Sequence, residues 1–81
     1  MAKNNYISAQ YLWDRVNLYS TEYLAKNTEW RKGQSMFNAL SKVCPLTAEI
    51  IRASEYDPYH RDSKLDEFKK KCFELWSIQD E

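Results

Sequence analysis

The stretch Trp30-Arg31-Lys32-Gly33-Gln34-Ser35-Met36-Phe37-Asn38-Ala39-Leu40-Ser41-Lys42-Val43-Cys44 decides the fold. At 100° per residue, with Leu40 at zero, Met36, Phe37, Val43 and Cys44 fall within about 60° on either side. That is one apolar face of a helix. Gly33 sits at about 20°, the middle of this face, where a glycine costs about 1 kcal/mol against alanine. We read it as a notch that lets another helix approach closely. The other reading starts the helix after Gly33. Asn27-Thr28 ends the preceding segment, and Thr28 can cap this one.

On the N-terminal side, residues 1–7 read as a short arm. Ser8 is a plausible helix cap. Val16, Tyr19 and Tyr23 then lie within about 40° of Leu12, a narrow apolar stripe. Asn17, Ser20 and Thr21 compete for backbone hydrogen bonds, so a break near 17–20 is favoured over one helix across about 9–26. On the C-terminal side, Pro45 fits the first turn of a helix whose apolar side is Leu46, Ile50 and Ile51 and which ends near Ser54. Residues 55–62 form the one substantial loop. Ser63-Lys64-Leu65-Asp66 reads as a capping box. The last helix runs to about Ser77 and carries Leu65, Phe68, Cys72, Leu75 and Trp76 on one face. The expected fold is all-α, a single-domain bundle of four or five short helices.

Composition narrows the function. Eighty-one residues give one core. Twelve basic against twelve acidic residues leave no net charge, which removes the usual driver for nucleic-acid or anionic-membrane binding. The distribution is uneven: residues 1–44 carry six basic and three acidic groups, residues 45–81 six and nine. One glycine argues against a phosphate-cradling loop. One histidine and two cysteines are too few for a structural zinc site, so no metal and no cofactor is expected. Cys44 and Cys72 read as reduced core thiols. With no secretory signal and no membrane span, a cytoplasmic protein is expected.

Little of the chain can carry chemistry, and no catalytic residue is assigned. Asp57, His60 and Asp62 are a conceivable cation site for a metal-assisted enzyme, but their spacing matches no known ligand motif. A solvated loop with an Asp-Pro turn explains the same residues and is the favoured reading. Lys69-Lys70-Lys71 spread around a helix and are diluted by Glu67 and Glu74, with Lys70–Glu74 and Lys71–Glu67 as opposite-charge pairs. Trp30-Arg31-Lys32 mixes aromatic and cation, as single-strand binders do, so helix 29–44 could be a nucleic-acid reader. Gln34 and Asn38 can bond each other and hold the 57–62 loop through Asp57, Tyr59 and Asp62. That group reads as a structural clamp or, alternatively, as a recognition site.

Aromatic surplus is the more informative feature. Twelve aromatic residues exceed what the apolar stripes absorb. Tyr11, Trp13, Leu18, Trp30 and Phe73 fall about 80–120° off them. Exposed rings anchor interfaces. The expected function is therefore binding to a protein partner, including a second copy of this chain, with nucleic acid less favoured and no membrane.

Trp30-Arg-Lys-Gly-Gln-Ser-Met-Phe-Asn-Ala-Leu40, with Asp57-Pro58-Tyr59 and Asp62-Ser63, resembles a pattern in short uncharacterised proteins of bacteria and their phages. The resemblance covers about residues 28–70. It implies a phage or mobile-element source and, for accessory proteins of this size, action by binding and modulating host or competing-element proteins.

Overall fold

The computed structural model describes residues 8–79, with side chains described to Trp76. Its elements are α1 (Ala9–Lys26), α2 (Lys32–Val43), α3 (Pro45–Ile51), a 3₁₀ turn (Asp62–Lys64) and α4 (Leu65–Gln79), with no strand among the described residues. The all-α bundle follows. Residues 1–7, read as an arm, lie outside the described residues.

α2 is the hub, packed on α1, α3 and the 3₁₀ turn. Its predicted stripe is buried at Met36, Phe37 and Leu40 and half-buried at Val43 and Cys44. Ser35 and Ala39 are also fully enclosed, though they lie about 100–140° off that stripe. Contact on several sides explains the wider arc. The helix starts later than the sequence suggests: Trp30 donates its backbone N–H to the Asn27 carbonyl (2.9 Å), closing a turn over 27–30. Arg31 becomes the cap, its N–H donating to Gln34 Oε1 at 3.4 Å, and Thr28 plays no capping part.

α1 is unbroken, contrary to the expected interruption at 17–20. Thr21 Oγ1 donates to the Asn17 carbonyl at 3.0 Å inside the helix, and Ser20 is buried. The competing side chains are accommodated without breaking it. Ser8 caps it as expected, accepting from the Tyr11 N–H at 3.1 Å. Its buried residues are Trp13, Val16 and Ser20, an arc rotated by about 70° from the stripe centred on Leu12. The reason is α4, which packs on the far flank of α1 while α2 covers the near one.

α3 also turns against expectation. Pro45 occupies the first turn as read, but the buried side is Thr47, Ala48 and Ile51. Leu46 and Ile50 point outward, 74% and 56% exposed. Thr47 is drawn inward by the fully buried Trp76, whose indole Nε1–H donates to Thr47 Oγ1 at 2.9 Å. The helix stops at Ile51, because Ala53 adopts a left-handed conformation (φ 61°) and its N–H donates to Asp57 Oδ2 at 2.7 Å. Ser63 falls inside the 3₁₀ turn, so α4 begins two residues beyond the expected cap. Lys71 pairs with Glu74 (3.5 Å) and Lys64 with Glu67 (3.4 Å), rather than in the expected spacing.

Candidate functional site

Two groups of residues stand apart from the core: the loop after α3, and the outer side of α1 where it meets the end of α2.

The loop is built on two carboxylates. Asp57 Oδ1 accepts from the Tyr59 N–H (2.9 Å) while its Oδ2 accepts from Ala53. Asp62 Oδ1 accepts from the Gly33 N–H at 2.8 Å, tying the loop to the first turn of α2. A Cβ at Gly33 would stand 2.1 Å from the Pro58 carbonyl oxygen. Gly33 is therefore a notch, as read, but the element it admits is this loop and not another helix. Gln34 Nε2 donates to the Tyr59 hydroxyl (3.3 Å), and Phe37 meets the Tyr59 ring edge-on at 6.2 Å. The structure thus joins Gln34, Tyr59 and Asp62 through α2. Asp57 organises the loop from within. Asn38 makes no hydrogen bond with it and none with Gln34; the Gln34 oxygen is taken by Arg31. His60 is exposed and lies edge-on to Tyr59 at 4.9 Å. Asp57, His60 and Asp62 do not converge, and no group of three potential metal ligands occurs among the described residues. Both carboxylates hold backbone amides, which disfavours the rival cation reading and makes this an internally bonded loop.

The five residues read as partner contacts separate. Trp13 is 7% exposed and lies in the core between Phe68 (5.8 Å) and Phe73 (6.1 Å). Its assignment as an exposed anchor is overturned. Phe73 is half-buried against Trp13 and Trp76, with Lys69 Nζ 5.8 Å above its ring. Trp30 is half-buried against Tyr23 at 5.8 Å. Only Tyr11 and Leu18 are open, at 53% and 49%. They are seven residues apart on one side of α1, hence about 10 Å along its axis.

Beside Tyr11 the antiparallel pairing of α1 and α2 opens a groove of about 380 Å³, lined by Tyr11, Leu12, Arg15, Tyr19, Lys42 and Val43. Arg15 Nη2 donates to the Tyr19 hydroxyl at 2.8 Å, and its guanidinium carbon lies 5.2 Å from that ring's centroid. Lys42 Nζ lies over the same ring at 5.1 Å. Arg15 and Tyr19 share a helix face at i, i+4 and were legible as neighbours. Lys42 comes from α2, and nothing in the sequence pairs it with them. Leu46 and Ile50 were missed as surface residues because their spacing reads equally well as a buried side.

The two cysteines are free. Burial pushes the Cys72 thiol up to about 12, and neighbouring Cys44 adds to the shift. Cys72 is therefore no nucleophile at neutral pH. Among the described residues no helix is long and apolar enough to cross a membrane. No family model, curated protein or solved structure matches this chain.

Proposed function

We propose that this chain is a non-enzymatic interaction protein that binds a protein partner through the Tyr11–Leu18 side of α1. The observation that carries this is the exposure of those two side chains, 53% and 49%, on one face of an eighteen-residue helix. An exposed tyrosine and leucine about 10 Å apart are suited to filling two adjacent apolar depressions on a partner. Arg15 and Glu22 on the same side supply a charged rim that sets orientation and encounter rate. The action would be occlusion of the partner's surface. A modulator of that kind would also suit the phage or mobile-element source that the sequence resemblance implies.

Two further features support a binding role. Three residues that could serve catalysis are otherwise engaged: Asp57 and Asp62 hold backbone amides, and burial pushes the Cys72 thiol up to about 12. The helix that a nucleic-acid reading would use, α2, buries Gly33, Ser35, Met36, Phe37, Ala39 and Leu40.

The test compares Tyr11→Ser/Leu18→Ser with Leu46→Ser/Ile50→Ser as bait in the source cell. The captured protein is then purified and titrated. Helicity and melting of both variants should match the wild type. The first variant should lose binding about a hundredfold and the second should keep it. Equal binding by all three overturns the site. A solution mass of two chains that the first variant halves makes the occupant a second copy instead. Affinity falling steeply with salt for oligonucleotides, with no protein bound, overturns the partner class.

A further inference from the structure

Resting on that reading, we infer that the groove beside Tyr11 is a carboxylate-recognition site, and that the segment it takes is an acidic peptide with an apolar residue next to its Asp or Glu. Arg15 and Lys42 approach one ring, that of Tyr19, at 5.2 and 5.1 Å. Both cations line the same groove, and neither belongs to an ion pair among the described residues. An anion bound in the groove gains attraction from both and can accept charge-assisted hydrogen bonds from them. The Tyr19 hydroxyl, bonded to Arg15 Nη2 at 2.8 Å, holds the guanidinium in place beforehand. Less side-chain freedom is then lost on binding.

The remaining lining selects among anions. Leu12 and Val43 present aliphatic surface to the groove, and the half-exposed Tyr11 ring stands at its mouth. A bare phosphate would leave these walls unused. A peptide carboxylate with a neighbouring leucine or phenylalanine uses both halves. A nucleic acid is matched poorly, because its affinity grows with the number of phosphates neutralised, and the groove offers two cations on a chain of zero net charge. The charge arrangement also fits: residues 1–44 carry six basic against three acidic groups, so the groove lies in the positive half.

The test is a titration of the isotope-labelled full chain, followed by amide proton–nitrogen correlation spectra. The probes are acetyl-Glu-Leu-Phe-Glu-amide, its glutamine counterpart acetyl-Gln-Leu-Phe-Gln-amide, inorganic phosphate and a single-stranded oligodeoxythymidine. The acidic peptide should shift the amides of Leu12, Arg15, Tyr19, Lys42 and Val43. Its affinity should fall about tenfold in Lys42→Gln and again in Arg15→Gln/Lys42→Gln. If Arg15→Gln loosens the fold by freeing the Tyr19 hydroxyl, Lys42→Gln alone decides, since Lys42 is exposed. Equal binding of the glutamine peptide, shifts confined to other surfaces, or tighter binding of phosphate or the oligonucleotide overturns the inference. A purified partner that needs Tyr11 and Leu18 but tolerates Lys42→Gln leaves the proposed function standing and removes this inference. A peptide that seats in the groove, beside a partner indifferent to Tyr11 and Leu18, does the reverse.

Discussion

The indole of Trp13 is wedged between Phe68 and Phe73, with Lys69 Nζ 5.7 Å above it. A ring held on both sides is a structural member, so Trp13→Ala should lower stability by about 3–5 kcal/mol in urea denaturation. That is enough to unfold much of a chain this small. Ser35 is the opposite case. Its hydroxyl is fully buried without a hydrogen-bond partner. Ser35→Ala should therefore leave stability unchanged or raise it by about 1 kcal/mol in the same assay. Cys72 is governed by its charged form. The folded thiol titrates at about 12, against 9.0 for an ordinary one. From pH 9 to 12 the unfolded chain loses this proton while the folded one keeps it. The contribution is therefore complete below pH 9 and is lost as pH rises toward 12. At pH 8, a thiol reagent should modify the half-buried Cys44 first and reach Cys72 only at the rate of unfolding. A Cys72→Ala variant should lack this component of the alkaline loss.

Among the elements, the attachment of the 52–61 loop to α2 rests on Gly33. Substituting alanine forces Cβ against the Pro58 carbonyl and displaces the Asp62 carboxylate that accepts from the Gly33 N–H. The gain in helix propensity, about 1 kcal/mol, opposes this and is smaller than the loss. Gly33→Ala should lower stability by about 2 kcal/mol and speed amide exchange across residues 53–62. The loop was legible in Asp57-Pro58 and in the missing side chain at Gly33. Its attachment was not, because a glycine on an apolar face looks the same whether a helix or a loop backbone fills the space. The rotation of α3 has the same origin. In a seven-residue helix, Leu46, Ile50 and Ile51 offer one apolar side and Thr47, Ala48 and Ile51 another. The buried Trp76 indole N–H needs an acceptor, and Thr47 provides it.

For the whole molecule, one core forms where α1, α2, α3 and α4 meet, enclosing Val16, Leu40, Ile51, Phe68 and Trp76. Among the described residues, four large apolar side chains stay exposed: Tyr11, Leu18, Leu46 and Ile50. The last two are the most exposed of these, at 74% and 56%, so Leu46→Ser/Ile50→Ser should shift the melting temperature little and reduce self-association at high concentration. Of the five residues expected at the surface, two, Tyr11 and Leu18, are exposed. Tyr11 and Leu18 lie far from the α1 stripe by angle alone, and they remain exposed. Trp13, equally far on the opposite side, is buried because a second helix arrives there.

The local sequence determined which segments are helical, through apolar spacing, the Ser8 cap and Pro45. It also determined that Met36, Phe37, Leu40, Phe68, Cys72 and Trp76 face inward. Tertiary structure decided how far around each helix burial extends, which side of α3 is wet, what fills the Gly33 notch, and that Lys42 joins Arg15 over Tyr19. Periodicity reports one angle per residue about one axis. Burial depends on how many neighbours surround that axis, and these come from distant parts of the chain.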